Sequence, residues 1–152
     1  MTATPSPSRR TSAASGGRVV PLELLDLLRG RTEEMVDLLT RLSEAESPSD
    51  DPESARRPYT ILASELQSIG YAVRRIRGRS TGDHLLARPA GRRRGTPYQL
   101  LVGHMDTVWP LGTLATMPVR RDGDALYGPG VFDMKGGLVQ LVFALRALAE
   151  MG

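Results

Sequence analysis

Three acidic or imidazole side chains of this sequence stand in an order that suits metal chemistry. His104 and Asp106 flank a methionine in Gly103-His104-Met105-Asp106-Thr107-Val108. Asp133 follows 27 residues later (133 − 106), between Gly128-Pro129-Gly130 and Lys135-Gly136-Gly137. On an extended strand, residues i and i+2 point to the same face. His104 can then bind a metal through one ring nitrogen while Asp106 orients the ring, fixing its tautomer and raising its basicity. Gly128 and Gly130 allow close backbone approach, and a helix beginning just beyond them favours an anionic group. A carboxylate held there can bridge two cations about 3.5–4 Å apart, the separation used in two-metal hydrolysis. Each residue also has a plainer reading. His104 can be merely hydrogen-bonded, Asp106 a turn residue beside Thr107, Asp133 a helix N-cap, and Gly128-Pro129-Gly130 only a loop. A dinucleotide fingerprint is excluded, because position 133 holds Asp where a third glycine is needed. The ordered joint occurrence favours the metal site.

The elements that must position these groups follow from periodicity. Leu22 to Glu46 reads as a helix, with Met35, Val36, Leu38, Leu39 and Leu42 on one stripe and Thr32-Glu33-Glu34 suited to a helix start. Ser47-Pro48-Ser49-Asp50-Asp51-Pro52 ends it with turn chemistry. A second helix is expected over Glu53 to Ile69, with Ile61, Leu62, Leu66 and Ile69 inward and Gly70 as its stop. Tyr71 to Ile76 and His84 to Arg88 read as strands, followed by an exposed loop from Pro89 to Pro97. Leu100-Leu101-Val102 is a continuous apolar run, which predicts that Tyr98 to Gly103 is a strand covered on both faces, as in a parallel sheet. His104 and Asp106 then stand at its C-terminal end, where open α/β sheets bind ligands. Asp122-Gly123-Asp124 predicts a hairpin between Met117–Arg121 and Ala125–Tyr127. Gly136 to Met151 is a helix with Leu138, Leu141, Val142, Leu145 and Leu148 on one side. The order predicts an α/β fold with a mixed, largely parallel sheet flanked by helices. His84 reads as structural, and Trp109 and Tyr127 as packing residues.

Composition narrows the chemistry further. Hydrophobic residues make up 40% and charged residues 24% of the chain, as in a globular domain. Cysteine is absent, which removes disulfides, thiolate ligands and a cysteine nucleophile. Any metal must be held by His, Asp or Glu, which favours a catalytic over a structural site. Lys135 is the single lysine among 20 basic residues, and it sits inside the glycine-rich Asp133 loop. The arginines between Arg74 and Arg94 read as a solvated strand pair and loop, not a nucleic-acid patch, because no aromatic stacking platform is interleaved with them. No apolar run reaches membrane-span length. Residues 1–18 are expected to be a disordered tail. Arg9-Arg10 is followed by no apolar core of an export signal, so a cytoplasmic location is expected.

Gly103 to Val108 resembles the His-x-Asp-Thr-Val signature of the zinc-dependent metallopeptidases and amidohydrolases that include acetylornithine deacetylase, succinyl-diaminopimelate desuccinylase and glutamate carboxypeptidase. Tyr127 to Gly137 resembles their second signature, Gly-x-Gly-x-x-Asp-x-Lys-Gly-Gly. The helix, the Glu46-Ser47-Pro48-Ser49 turn and the second helix also match, so the resemblance covers Leu22 to Gly152 and is nearest to the glutamate carboxypeptidases. It implies that His104 ligates one zinc, that Asp133 bridges two, and that Asp106, the catalytic-site carboxylate, orients His104. Zn2+ is the implied metal, with Co2+ as a substitute, and the implied substrate is a small peptide or N-acyl amino acid. It also implies a cis peptide bond at Asp133–Met134. The family's general base, a Glu-Glu pair downstream, its remaining ligands and its inserted dimerisation domain have no counterpart here. Glu150 lies on a helix spanning about 24 Å and is not expected to reach back. The expectation is therefore an N-terminal portion of such an enzyme, residues 19–152, inactive alone. The rival expectation is a non-catalytic metal-binding or interaction module that retains the half-site. The oligomeric state is left open by the sequence.

Overall fold

A computed structural model describes residues 21–151; the tail expected at residues 1–18 lies outside them. The elements in order are α1 (Pro21–Arg29), α2 (Thr32–Glu44), α3 (Arg56–Ser68), β1 (Tyr71–Ile76), β2 (His84–Pro89), β3 (Arg120–Asp122), β4 (Ala125–Tyr127) and α4 (Gly136–Met151). The single N-terminal helix expected from Leu22 to Glu46 is thus two helices. The chain turns at Gly30-Arg31, where Gly30 N–H donates to Asp26 O and Arg31 N–H donates to Leu28 O, both at 3.0 Å.

The core lies between α2, α3 and α4. Leu38, Leu42, Leu62, Leu66, Leu138, Val139, Val142 and Phe143 form one buried cluster, with Tyr71, Val73, Leu85 and Ala87 of the β1–β2 hairpin packed against it. The inward face of α4 differs from the expected one. Leu138 and Val142 are buried, but so are Val139, Phe143 and Ala147, while Leu148 is exposed. This helix is apolar on most of its circumference, so periodicity alone does not choose the face that packs. Arg146 closes the core at its edge, pairing with Glu65 of α3 at 2.8 Å and Glu34 of α2 at 3.4 Å. Glu150 pairs with Arg31 at 2.7 Å, far along α4 from the Asp133 loop.

Two antiparallel hairpins are present among the described residues, β1–β2 and β3–β4. Both occur where expected, and Gly123 turns the second. The arginine-rich stretch from Arg74 to Arg94 is the first hairpin and its following loop, with His84 exposed at the start of β2. The expected strand from Tyr98 to Gly103 is paired with no other strand. Leu100, Leu101 and Val102 are exposed by 71%, 56% and 79%. A strand is held by hydrogen bonds to neighbours, and among the described residues nothing pairs with this segment. The one parallel pairing among the described residues is an isolated bridge between Pro48 and Thr107, just beyond it. The architecture is α/β, and the parallel part of the expected sheet does not occur among the described residues.

Candidate metal centre

His104, Asp106 and Asp133 come together in space although 29 residues separate the first from the last (133 − 104). His104 Nε2 lies 3.1 Å from Asp133 Oδ1. On the other side of the ring, Nδ1 lies 3.1 Å from the Asp106 carbonyl oxygen and 3.5 Å from Asp106 Oδ1. Acceptors face both ring nitrogens, so with the proton on Nδ1, held by Asp106, Nε2 presents a lone pair. In that tautomer the lone pair faces a carboxylate oxygen, and two acceptors 3.1 Å apart need a cation between them.

Asp133 is presented by an irregular turn, Val131–Lys135, that leads into α4. Its backbone is non-helical at Asp133 (φ −121°, ψ 102°) and Met134 (φ −130°, ψ 32°), and the Asp133–Met134 peptide bond is cis, as the resemblance implied. Lys135 N–H donates to Gly130 O at 2.9 Å across this turn. Gly130 has φ 73°, and a Cβ on it would stand 2.6 Å from Thr107 Cγ2 and 3.2 Å from Lys135 Cδ. Only glycine fits this conformation and this approach together. The His104 N–H also donates to Met134 Sδ at 3.4 Å, joining the two motifs directly.

Lys135 is 1% exposed and its ammonium donates to the Ala45 carbonyl at 3.0 Å. Burial pushes its pKa down to about 8, against the upward pull of Glu46 and Asp106. The sequence signalled this position by its uniqueness as a lysine. Three further residues were not signalled as site groups. Ser49 Oγ donates to Asp106 Oδ2 at 2.6 Å. This bond is the main cause holding the Asp106 carboxyl below the usual carboxylate range. Ser47 Oγ donates to Met105 O at 2.7 Å. Glu46 accepts the N–H groups of Gly112 and Leu114 at 3.0 and 3.1 Å, which lower its pKa and fix the turn after Trp109. Their one signal was the Glu46 to Ser49 turn, which reads locally only as a helix stop.

The site opens into a cleft of about 270 Å³ lined by Ser49, His104, Asp106, Trp109, Phe132 and Asp133. Trp109 and Tyr127, expected to pack, are 43% and 47% exposed. Trp109 lines this cleft, and Tyr127 lines an adjoining one with Arg120 stacked 4.2 Å over its ring. Trp109 lies in an irregular connection and Tyr127 at the end of the short hairpin strand β4, both outside the helical core. No group of three or more His, Cys, Asp or Glu side chains is placed to hold a metal among the described residues. Two donors do converge, and their separation suits one ion. Ligand atoms about 2.1 Å from a tetrahedral zinc stand about 3.4 Å apart, close to the 3.1 Å between Nε2 and Oδ1.

Known proteins share this sequence pattern. Residues 100–152 match peptidase family M20/M25/M40. Carboxypeptidase G2 of Pseudomonas sp. is 36% identical over 120 residues, covering 78% of this chain and 28% of the relative. A putative succinyl-diaminopimelate desuccinylase of Mycobacterium tuberculosis is 35% identical over 104 residues, covering 68% of this chain and 27% of the relative. A succinyl-diaminopimelate desuccinylase of Rhizorhabdus wittichii is 30% identical over 118 residues, covering 76% of this chain and 30% of the relative. The chain thus spans less than a third of the length of these relatives. With the two motifs and the matched segment in register, the chain belongs to peptidase family M20/M25/M40.

Proposed function

We propose that this chain supplies one wall of a two-zinc site for hydrolysing an amide or C-terminal peptide bond, as a glutamate carboxypeptidase-like exopeptidase or an N-acyl amino acid deacylase does. The observation that carries the reading is the approach of His104 Nε2 to Asp133 Oδ1 at 3.1 Å, with Nδ1 held by acceptors on its far side. His104 and Asp133 would hold the metal. Zinc bound there would polarise the scissile carbonyl and lower the pKa of a water molecule. The remaining chemistry rests on the chain's own groups. Asp106 keeps the His104 proton on Nδ1, so Nε2 stays a donor of electrons toward the ion. Trp109 and Phe132 flank the cleft and supply apolar surface beside the reacting bond. In the same reading, Leu100 to Val102 form a strand of a larger, largely parallel sheet, which accounts for its apolar run.

In this reading His104 and Asp133 are two ligands and Asp106 orients one of them, and no further carboxylate among the described residues stands in the cleft to accept a proton from the attacking water. Weak zinc binding and no turnover by this chain alone are therefore expected. Calorimetric titration with Zn2+ should show weak binding that His104→Ala and Asp133→Ala each abolish. Absence of binding by the wild-type chain would refute the metal reading. Hydrolysis of a dipeptide or N-acyl amino acid, abolished by chelator, would refute the expectation of inactivity. Zinc binding at full two-ion stoichiometry without hydrolysis would favour a non-catalytic metal-binding module.

A further inference from the structure

Asp106 has two carboxylate oxygens, and the structure gives them different work. Oδ1 lies 3.5 Å from His104 Nδ1, beside the Asp106 carbonyl oxygen at 3.1 Å, while Oδ2 accepts the Ser49 hydroxyl at 2.6 Å. Ser49 has one hydroxyl proton and two acceptors within reach, Asp106 Oδ2 at 2.6 Å and Thr107 O at 3.2 Å. The shorter, charge-assisted contact takes the proton. A carboxylate without such a bond turns freely about its last torsion, which has only a broad preference. With one oxygen engaged, the plane is set and the other oxygen stays toward the ring.

Ser49 is itself placed by backbone pairing, not by its own rotamer. Thr107 N–H donates to Ser47 O at 2.8 Å, and Ser49 N–H donates to Thr107 O at 3.0 Å. These bonds lay Ser47-Pro48-Ser49 alongside Met105-Asp106-Thr107. The fully buried Ser47 adds its hydroxyl bond to Met105 O. Lys135 anchors the opposite motif to the residue just upstream through Ala45 O. The turn after α2 therefore touches both halves of the site, 58 residues away along the chain from Met105.

We propose that Ser49 is a positioning residue for the metal site, its hydroxyl fixing the Asp106 carboxylate and, through it, the tautomer and orientation of His104. This rests on the reading of His104 and Asp133 as metal ligands. Ser47 and Lys135 hold the track on which Ser49 sits; Ser49 alone reaches the carboxylate. Groups that orient a metal-binding histidine change metal affinity by about 10–100-fold when removed.

The test compares Ser49→Thr with Ser49→Val in the full chain. The two replacements have nearly the same shape, and only threonine keeps the hydroxyl. Two readouts are taken: Zn2+ affinity by calorimetry, and the His104 ring tautomer in the metal-free protein by nitrogen NMR at a pH where the ring is neutral. His84 is the only other histidine, so it serves as an internal control. Ser49→Thr should bind zinc within about threefold of wild type and keep the wild-type tautomer. Ser49→Val should lose about tenfold or more in affinity and show a mixed tautomer at His104 but not at His84. Ser49→Ala, which removes the hydroxyl without adding a branch, should behave like Ser49→Val and not like Ser49→Thr. Equal zinc affinity and equal tautomer among the hydroxyl-bearing and hydroxyl-free variants would overturn the proposal. If the wild-type chain binds no zinc, the metal reading fails separately, and the tautomer comparison still decides whether Ser49 positions His104.

Discussion

Phe143 and Phe132 are the chain's two phenylalanines, and they occupy opposite surroundings. Phe143 is 2% exposed between α2, α3 and α4, whereas Phe132 is 97% exposed beside Asp133. The helical half of the molecule is held by apolar burial. The site half is held by directed bonds: Glu46 to the Gly112 turn, Ser47 and Ser49 to the His104 segment, and Lys135 to Ala45. Its large apolar side chains, from Leu100 to Val102 and at Val108 and Phe132, face outward. Stability and site geometry therefore depend on different residues, and variants can separate them.

The largest effect belongs to the core. Phe143→Ala removes a fully buried ring and leaves a cavity bounded by three helices, which costs about 3–5 kcal/mol. Urea denaturation followed by circular dichroism should show the midpoint fall sharply. A loss under 1 kcal/mol would mean that the helices do not carry the stability, and the contrast between halves would fail.

Gly130→Ala comes next and acts at the joint between the halves. The new methyl meets Thr107 Cγ2 at 2.6 Å in a backbone with φ 73°, so the combined strain should cost about 2 kcal/mol. The more telling readout is local. Relief of this clash must move either the His104 segment or the Asp133 turn, so zinc affinity should fall more than tenfold while the helical signal persists. Unchanged zinc affinity would show that the two motifs do not depend on this close approach.

How much of this was legible follows the same division. The bounds of α4, the start of β1 and the β3–β4 hairpin were read from local pattern, because periodicity, Gly70 and the Asp122-Gly123-Asp124 turn act over a few residues. The meeting of His104 with Asp133 was legible because both lie in glycine-rich motifs of recognisable order. The break at Gly30 was missed, since apolar residues continue on both sides of it. The packing face of α4 was misjudged because an almost wholly apolar helix does not reveal which side is covered. The run from Leu100 to Val102 was read as a buried strand, yet pairing is non-local and the pattern cannot supply the neighbour. Ser47 and Ser49 act across 58 and 57 residues through side-chain bonds, and serine after a helix looks the same whether it holds a site or merely ends the helix.

Glu46 sharpens the comparison by adding pH. Two backbone N–H bonds lower its pKa in the folded chain, so its stabilising effect is full above the unfolded carboxyl value of about 4.3 and is lost as pH falls through the lower folded value. Glu46→Gln should cost about 1 kcal/mol at neutral pH, and its difference from wild type should shrink below pH of about 4. The same urea midpoints, compared at the two pH values, measure it. A difference that grew toward acid would mean that Glu46 is not the ionised acceptor holding the Gly112 turn.

The smallest expected effect is at the exposed apolar strand. Val102 is 79% exposed, so Val102→Ser removes almost no burial and should change stability by less than about 0.5 kcal/mol. Its consequence should lie in association. An extended, unpaired, apolar segment offers both backbone donors and apolar surface to another strand. The wild-type chain should therefore self-associate at lower concentration than the Val102→Ser variant, as light scattering across a dilution series would show. A large loss of stability on this substitution, with no change in association, would mean that Leu100 to Val102 is packed in solution. The site half would then be held by burial as the helical half is, and the distinction between the two regions would disappear.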